Sequence, residues 1–107
     1  MKIDFNQEFK TIEGATLMRV RAVNGAVTEL AATLRWAAVE ALLTTPSNLP
    51  TPAEEKARRY DLALKIQGNP GRLDLSVDDL SFIKKLCDEH FPPLVMGQTR
   101  RMLEGED

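Results

Sequence analysis

Cys87 and His90 are the side chains best suited to nucleophilic or metal chemistry, and they stand three residues apart. On a helix that spacing places both on one face, where a zinc ion accepts thiolate and imidazole ligands. Asp88 and Glu89 lie between them. The chain holds one cysteine and one histidine, so a closed four-ligand site would need carboxylates or a partner. A Cys–His dyad would need an accessible thiolate and a third group to orient the imidazole. Cys87 instead continues an apolar stripe through Leu80 and Ile83, where a free thiol packs as a small hydrophobe. His90 falls where a helix C-terminus favours positive charge. The pair reads as core and cap, and no catalytic, cofactor-binding or metal-binding residue is assigned.

Three other polar segments invite a ligand. Lys56, Arg58 and Arg59 form a basic cluster, but Glu54 and Glu55 precede Arg58 and Arg59 by four residues, the arrangement of a solvated helix face. Gly68-Asn69-Pro70-Gly71 lacks the lysine and hydroxyl of a phosphate loop and closes a helix rather than opening one. Gly97-Gln98-Thr99-Arg100-Arg101 could serve as a reading helix in a helix-turn-helix, with Gln98, Arg100 and Arg101 toward bases. Two prolines in the preceding turn and the acidic end Glu104-Gly105-Glu106-Asp107 oppose that reading. Gly97 costs about 1 kcal/mol inside a helix relative to alanine, and close approach of another backbone is the simplest reason for it.

The elements that carry these residues are marked by their ends. Thr51-Pro52-Ala53-Glu54 places a hydroxyl cap before proline and a glutamate three residues after the cap. Ser76-Val77-Asp78-Asp79 repeats the logic, and Phe91-Pro92-Pro93 stops one helix and opens another. Helices are therefore predicted near 52–67, 76–90 and 92–104, the last stopping at Gly105. In the first, Ala53, Ala57, Tyr60, Ala63 and Leu64 form the inner face, widened by Leu62 and Ile66. Upstream, Val27, Leu30, Ala31, Leu34, Ala38, Ala41 and Leu42 fall at helical spacing, which predicts the most buried helix over 26–44. Trp36, Val39 and Leu43 form its second apolar stripe. Thr44 to Pro50 is a loop.

At the N-terminus, Ile3, Phe5 and Phe9 alternate with Lys2, Asp4, Asn6 and Glu8. A turn at Glu13-Gly14 leads to Met18, Val20 and Ala22 alternating with Arg19 and Arg21. This predicts a β-hairpin over 2–23, ended by Asn24-Gly25, with its apolar face on the helices. The fold class is α+β, mainly helical: an N-terminal β-hairpin packed on a bundle of about four helices. The whole chain, 1–107, is one domain, with 1–23 as hairpin and 26–104 as helical body.

Composition narrows the setting. Hydrophobic residues make up 43% and charged residues 28%, as in folded water-soluble proteins. A formal net charge of −2 provides no global attraction to nucleic acid or anionic membrane. A single cysteine suits a reducing compartment, and neither a secretory leader nor a membrane span is read, so a cytoplasmic location is expected.

The layout resembles a group of small proteins encoded by tailed phages and prophages. The resemblance rests on the N-terminal ribbon, Val39-Glu40-Ala41-Leu42-Leu43, Glu54-Glu55-Lys56-Ala57-Arg58-Arg59-Tyr60-Asp61-Leu62-Ala63, and Phe91-Pro92-Pro93-Leu94-Val95-Met96-Gly97-Gln98 leading to Leu103-Glu104-Gly105. It implies phage or prophage origin, hence a bacterial host cytoplasm, and an accessory role. It carries over no functional residues, and the alanine-rich segment Ala26 to Thr44 departs from the pattern.

The residues thus point to a non-enzymatic protein that binds another protein: a host enzyme, a virion assembly component or a second copy of itself. Candidate binding residues are Trp36, Val39 and Leu43, with the adaptable Met96 and the cations Arg100 and Arg101. The hairpin is expected to cover Trp36 in part. The alternative is a small regulator touching nucleic acid through the C-terminal helix, with Arg100 and Arg101 sharing a surface with Arg19, Arg21 or Lys84 and Lys85. No cofactor and no membrane contact are expected.

Overall fold

The computed structural model describes residues 2–45 and 50–104. Part of the loop expected over 44–50, and the stop expected at Gly105, lie outside them. The elements run β1 (Lys2–Asp4), β2 (Met18–Val23), β3 (Ala26–Ala31), α1 (Leu34–Leu43), α2 (Ala53–Gln67), β4 (Arg72–Asp74), α3 (Val77–His90) and α4 (Pro93–Glu104). The class is α+β and mainly helical, with four helices and two antiparallel two-stranded sheets among the described residues.

The hairpin is placed differently from the expectation. Asn24 and Gly25 both take positive φ, 50° and 79°, the geometry of the two-residue turn whose twist matches paired strands. They therefore join β2 to β3 in register Met18↔Ala31 through Val23↔Ala26 rather than ending a ribbon. The helix expected over 26–44 is corrected to begin at Leu34. Its first part is the second strand, and Val27, offered as a core residue, is 70% exposed. Thr33 marks the true start: its hydroxyl accepts from the Trp36 N–H at 3.3 Å, satisfying one of the open donors of the first turn.

The N-terminal alternation still sets burial. Ile3, Phe5 and Phe9 are all in the core. β1, however, pairs with β4, with Ile3 opposite Leu73, and not with β2. The expected turn at Glu13-Gly14 survives as a tight reversal: Lys10 bridges Thr16, and the Gly14 N–H donates to the Thr11 carbonyl at 3.0 Å. Phe9 then wedges into the base of the ribbon. Its N–H donates to the Ala32 carbonyl and its carbonyl accepts from Leu17, both at 2.8 Å.

α1 is the central helix, packed against α2, α3 and α4. Leu34, Ala37, Ala38, Ala41 and Leu42 are buried, and the alanines keep the helix slim enough for neighbours on several sides. On α2 the inner face is rotated from the expected one. Arg59, Leu62, Ala63 and Ile66 are buried, while Ala53, Ala57, Tyr60 and Leu64 are exposed. The cause is Arg59, only 6% exposed. Its Nη1 donates to the Thr44 carbonyl at 3.1 Å and, at 3.5 Å, to that of Ala41. It thereby caps the end of α1, and its Nη2 meets Glu55 at 3.4 Å. The polar residue at that position hides the 59–62–63–66 spacing. At the start of α2 the expected threonine cap is also corrected: Pro52 is the cap residue and no side chain closes the turn. α3 does start as read, with Ser76 Oγ accepting from the Asp79 N–H at 3.1 Å.

Candidate interaction surface

Cys87 is fully buried. Burial pushes its thiol up to about 12, and the neighbouring Asp88 charge adds to the shift. The thiolate that nucleophilic or metal chemistry requires is therefore disfavoured. His90 is exposed and sits edge-on to Phe91, ring centres 4.7 Å apart. Among the described residues, no three His, Cys, Asp or Glu side chains are placed together to hold a metal ion.

Several of the basic residues are engaged within the fold. Arg58 reaches Asp79 at 3.1 Å across to α3, and its guanidinium carbon lies 4.2 Å from the Phe82 ring centre. Arg100 meets Asp88 at 3.5 Å, and Lys84 meets Glu104 at 3.1 Å. Gln98 clasps the main chain of Lys10: Oε1 accepts its N–H and Nε2 donates to its carbonyl, each at 2.8 Å. This clasp pins the turn after Phe9 onto α4.

Against that turn lies an open groove of about 600 Å³ bordered by Ile12, Leu94, Gly97 and Arg101. Ile12 is 87% exposed. The close backbone contact expected at Gly97 is absent among the described residues, since a side chain there would meet nothing of them within 4 Å. The glycine instead leaves the groove wall open. Of the expected binding residues, Arg101 borders this groove, Met96 is half-buried on the same helix, and Arg100 is held by Asp88.

Trp36, Val39 and Leu43 do not form one open stripe. Trp36 is half-buried, with Phe91 at 5.6 Å between ring centres and the Arg19 guanidinium carbon 5.6 Å from its own. With Arg35, Glu40 and Gln67 it borders a cleft of about 160 Å³ that includes Val39. Leu43 is 57% exposed and belongs to a different recess, beside Lys56 and Tyr60. The hairpin does cover Trp36 in part. It does so with Arg19, a cation over an aromatic face, and not with the apolar residues expected to face inward.

The inversion exposes the surface that the residue pattern concealed. Met18, Val20 and Ala22 share one face of the ribbon with Val27, Glu29 and Ala31. Val20 is 65% exposed, and every residue from Val20 to Glu29 is exposed. β2 and β3 pair only with each other among the described residues. The outer half of the ribbon, from Val20 to Glu29, has both faces in water, and a two-stranded ribbon is marginal by itself. The missed signal was Asn24-Gly25 between alternating apolar residues, a strong local mark of a hairpin. The chain matches no protein-family model, no curated protein and no solved structure.

Proposed function

We propose that this chain is a non-enzymatic interaction protein, an accessory protein of phage or prophage origin, that uses the β2–β3 ribbon to contact another protein. The origin rests on the resemblance in the sequence. The contact rests on one observation: an extended ribbon carrying Met18, Val20, Val23 and Val27 in solvent, with no sheet or helix layered on its outer half among the described residues. Exposed apolar residues grouped on one element mark contact surfaces more often than isolated ones do. Cys87 is buried and Lys84 and Arg100 are paired within the fold, whereas the apolar residues of the ribbon's outer half stay in solvent.

The test compares the full chain with a Val20→Ser, Val27→Ser double variant, which leaves the turn and the buried core untouched. Light scattering reports self-association. Affinity capture, followed by reconstitution with the purified candidate, reports a foreign partner. A complex formed by the full chain and weakened at least tenfold in the double variant is the expected result. A monomer that reconstitutes with nothing, or a complex indifferent to both changes, overturns the reading.

A further inference from the structure

We propose that the partner of the ribbon is a second copy of this chain, joined antiparallel through the outer edge of β3 about a two-fold axis at Thr28. The inference rests on the interaction reading above and adds the partner, the edge and the register.

The turn determines which backbone groups are free. With Val23↔Ala26 closing a two-residue loop, the hydrogen-bonded pairs are Val23–Ala26, Arg21–Thr28 and Arg19–Leu30. The N–H and C=O groups of Val20 and Ala22 on β2, and of Val27 and Glu29 on β3, therefore point away from the ribbon. Either edge could accept a strand, but charge separates them. Two copies of β2 paired symmetrically about their middle place arginine opposite arginine in each register: Arg19 on Arg19, Arg19 on Arg21, or Arg21 on Arg21. Like charges directly opposite one another destabilise a strand pair, and charged side chains are a common protection of an edge.

β3 carries one charge, Glu29. A register centred on Glu29 would set it against its own copy. A register centred on Thr28 sets Val27 opposite Glu29, Ala26 opposite Leu30, and Thr28 opposite Thr28, a favourable cross-strand pair. In that register Val27 and Glu29 supply the hydrogen bonds with the groups already aimed outward. The product is a four-stranded antiparallel sheet, β2-β3-β3-β2. It meets the requirement for three or more strands that neither ribbon meets alone. An axis of this kind is also the commonest symmetry of homo-oligomers.

Cross-linking tests the geometry. Thr28 pairs with itself at a non-hydrogen-bonded position, where Cα atoms approach to about 4.5 Å and a disulfide fits. Under mild oxidation Thr28→Cys is expected to form a covalent dimer, while Ala22→Cys on the β2 edge stays monomeric. Cys87 is buried and does not compete. In sedimentation, Thr28→Lys should weaken the dimer at least tenfold with an unchanged helical circular dichroism spectrum. A full chain that remains monomeric at hundreds of micromolar overturns the proposal, as does a dimer insensitive to Thr28→Lys or one cross-linked through Ala22→Cys. A monomer that binds a foreign protein through the ribbon would remove this inference and leave the interaction reading standing.

Discussion

Arg59 takes a core position on α2 because its charge is directed to the end of another helix. The last carbonyls of α1 have no partners within their own helix, and the guanidinium reaches two of them while its stem fills the gap between helices. Arg59→Ala should therefore cost about 2 kcal/mol, combining lost packing with unsatisfied carbonyls. Glu55→Ala, which removes a half-solvated partner, should cost less than about 1 kcal/mol. Urea denaturation of the two variants checks this; equal losses would assign the effect to the ion pair. Cys87 is a second residue whose environment sets its chemistry. Its thiol ionises near 9.0 in an unfolded chain and near 12 in the folded one. The unfolded state alone releases the proton between those values. The Cys87 contribution to stability is thus complete below pH 9 and is lost progressively as pH rises towards 12. Cys87→Ala should flatten that alkaline decline. Alkylation of the native thiol at pH 8 should proceed no faster than the opening that exposes it.

Among the elements, the ribbon is the one whose stability is separable from the core. Its turn depends on Gly25 at φ 79°, a conformation that costs a residue with a side chain about 1–2 kcal/mol. Gly25→Ala should accelerate amide exchange along β2 and β3 several-fold while the denaturation midpoint of the helical body shifts little. Equal destabilisation of ribbon and body would show that the two unfold as one unit. The starts of α3 and α4 were legible because they carry chemistry: the Ser76 cap and the double proline before α4 place boundaries with local rules that tertiary contacts did not overturn. The strands were less legible. Ala26 to Ala31 satisfies a helical spacing of apolar residues, and the same residues satisfy a strand once Asn24-Gly25 turns the chain back. The helical spacing led to a helix over 26–44, and the Asn24-Gly25 turn with pairing to β2 makes the segment a strand.

At the scale of the molecule, Phe9 links the two parts. It is fully buried and its backbone joins both strands at the ribbon base. Phe9→Ala should cost about 3–5 kcal/mol, a large share of the ~5–15 kcal/mol typical of a whole domain, and should lower the thermal midpoint of body and ribbon together. The protruding arm is reflected in a Cα radius of gyration of 14.1 Å, against ~13 Å expected for a compact chain of this length. The amino-acid sequence by itself determined the mainly helical α+β class, the burial of Ile3, Phe5 and Phe9, the central face of Leu34, Ala38, Ala41 and Leu42, and the core role of Cys87. Those properties follow from periodicity and capping, which act over a few residues. Only the tertiary structure decided that β1 pairs with β4, that Arg59 turns inward, and that Arg19 rather than Val20 covers Trp36. Each of these depends on which distant backbone supplies a hydrogen-bond partner, and a one-residue change of register turns an apolar strand face from core to solvent.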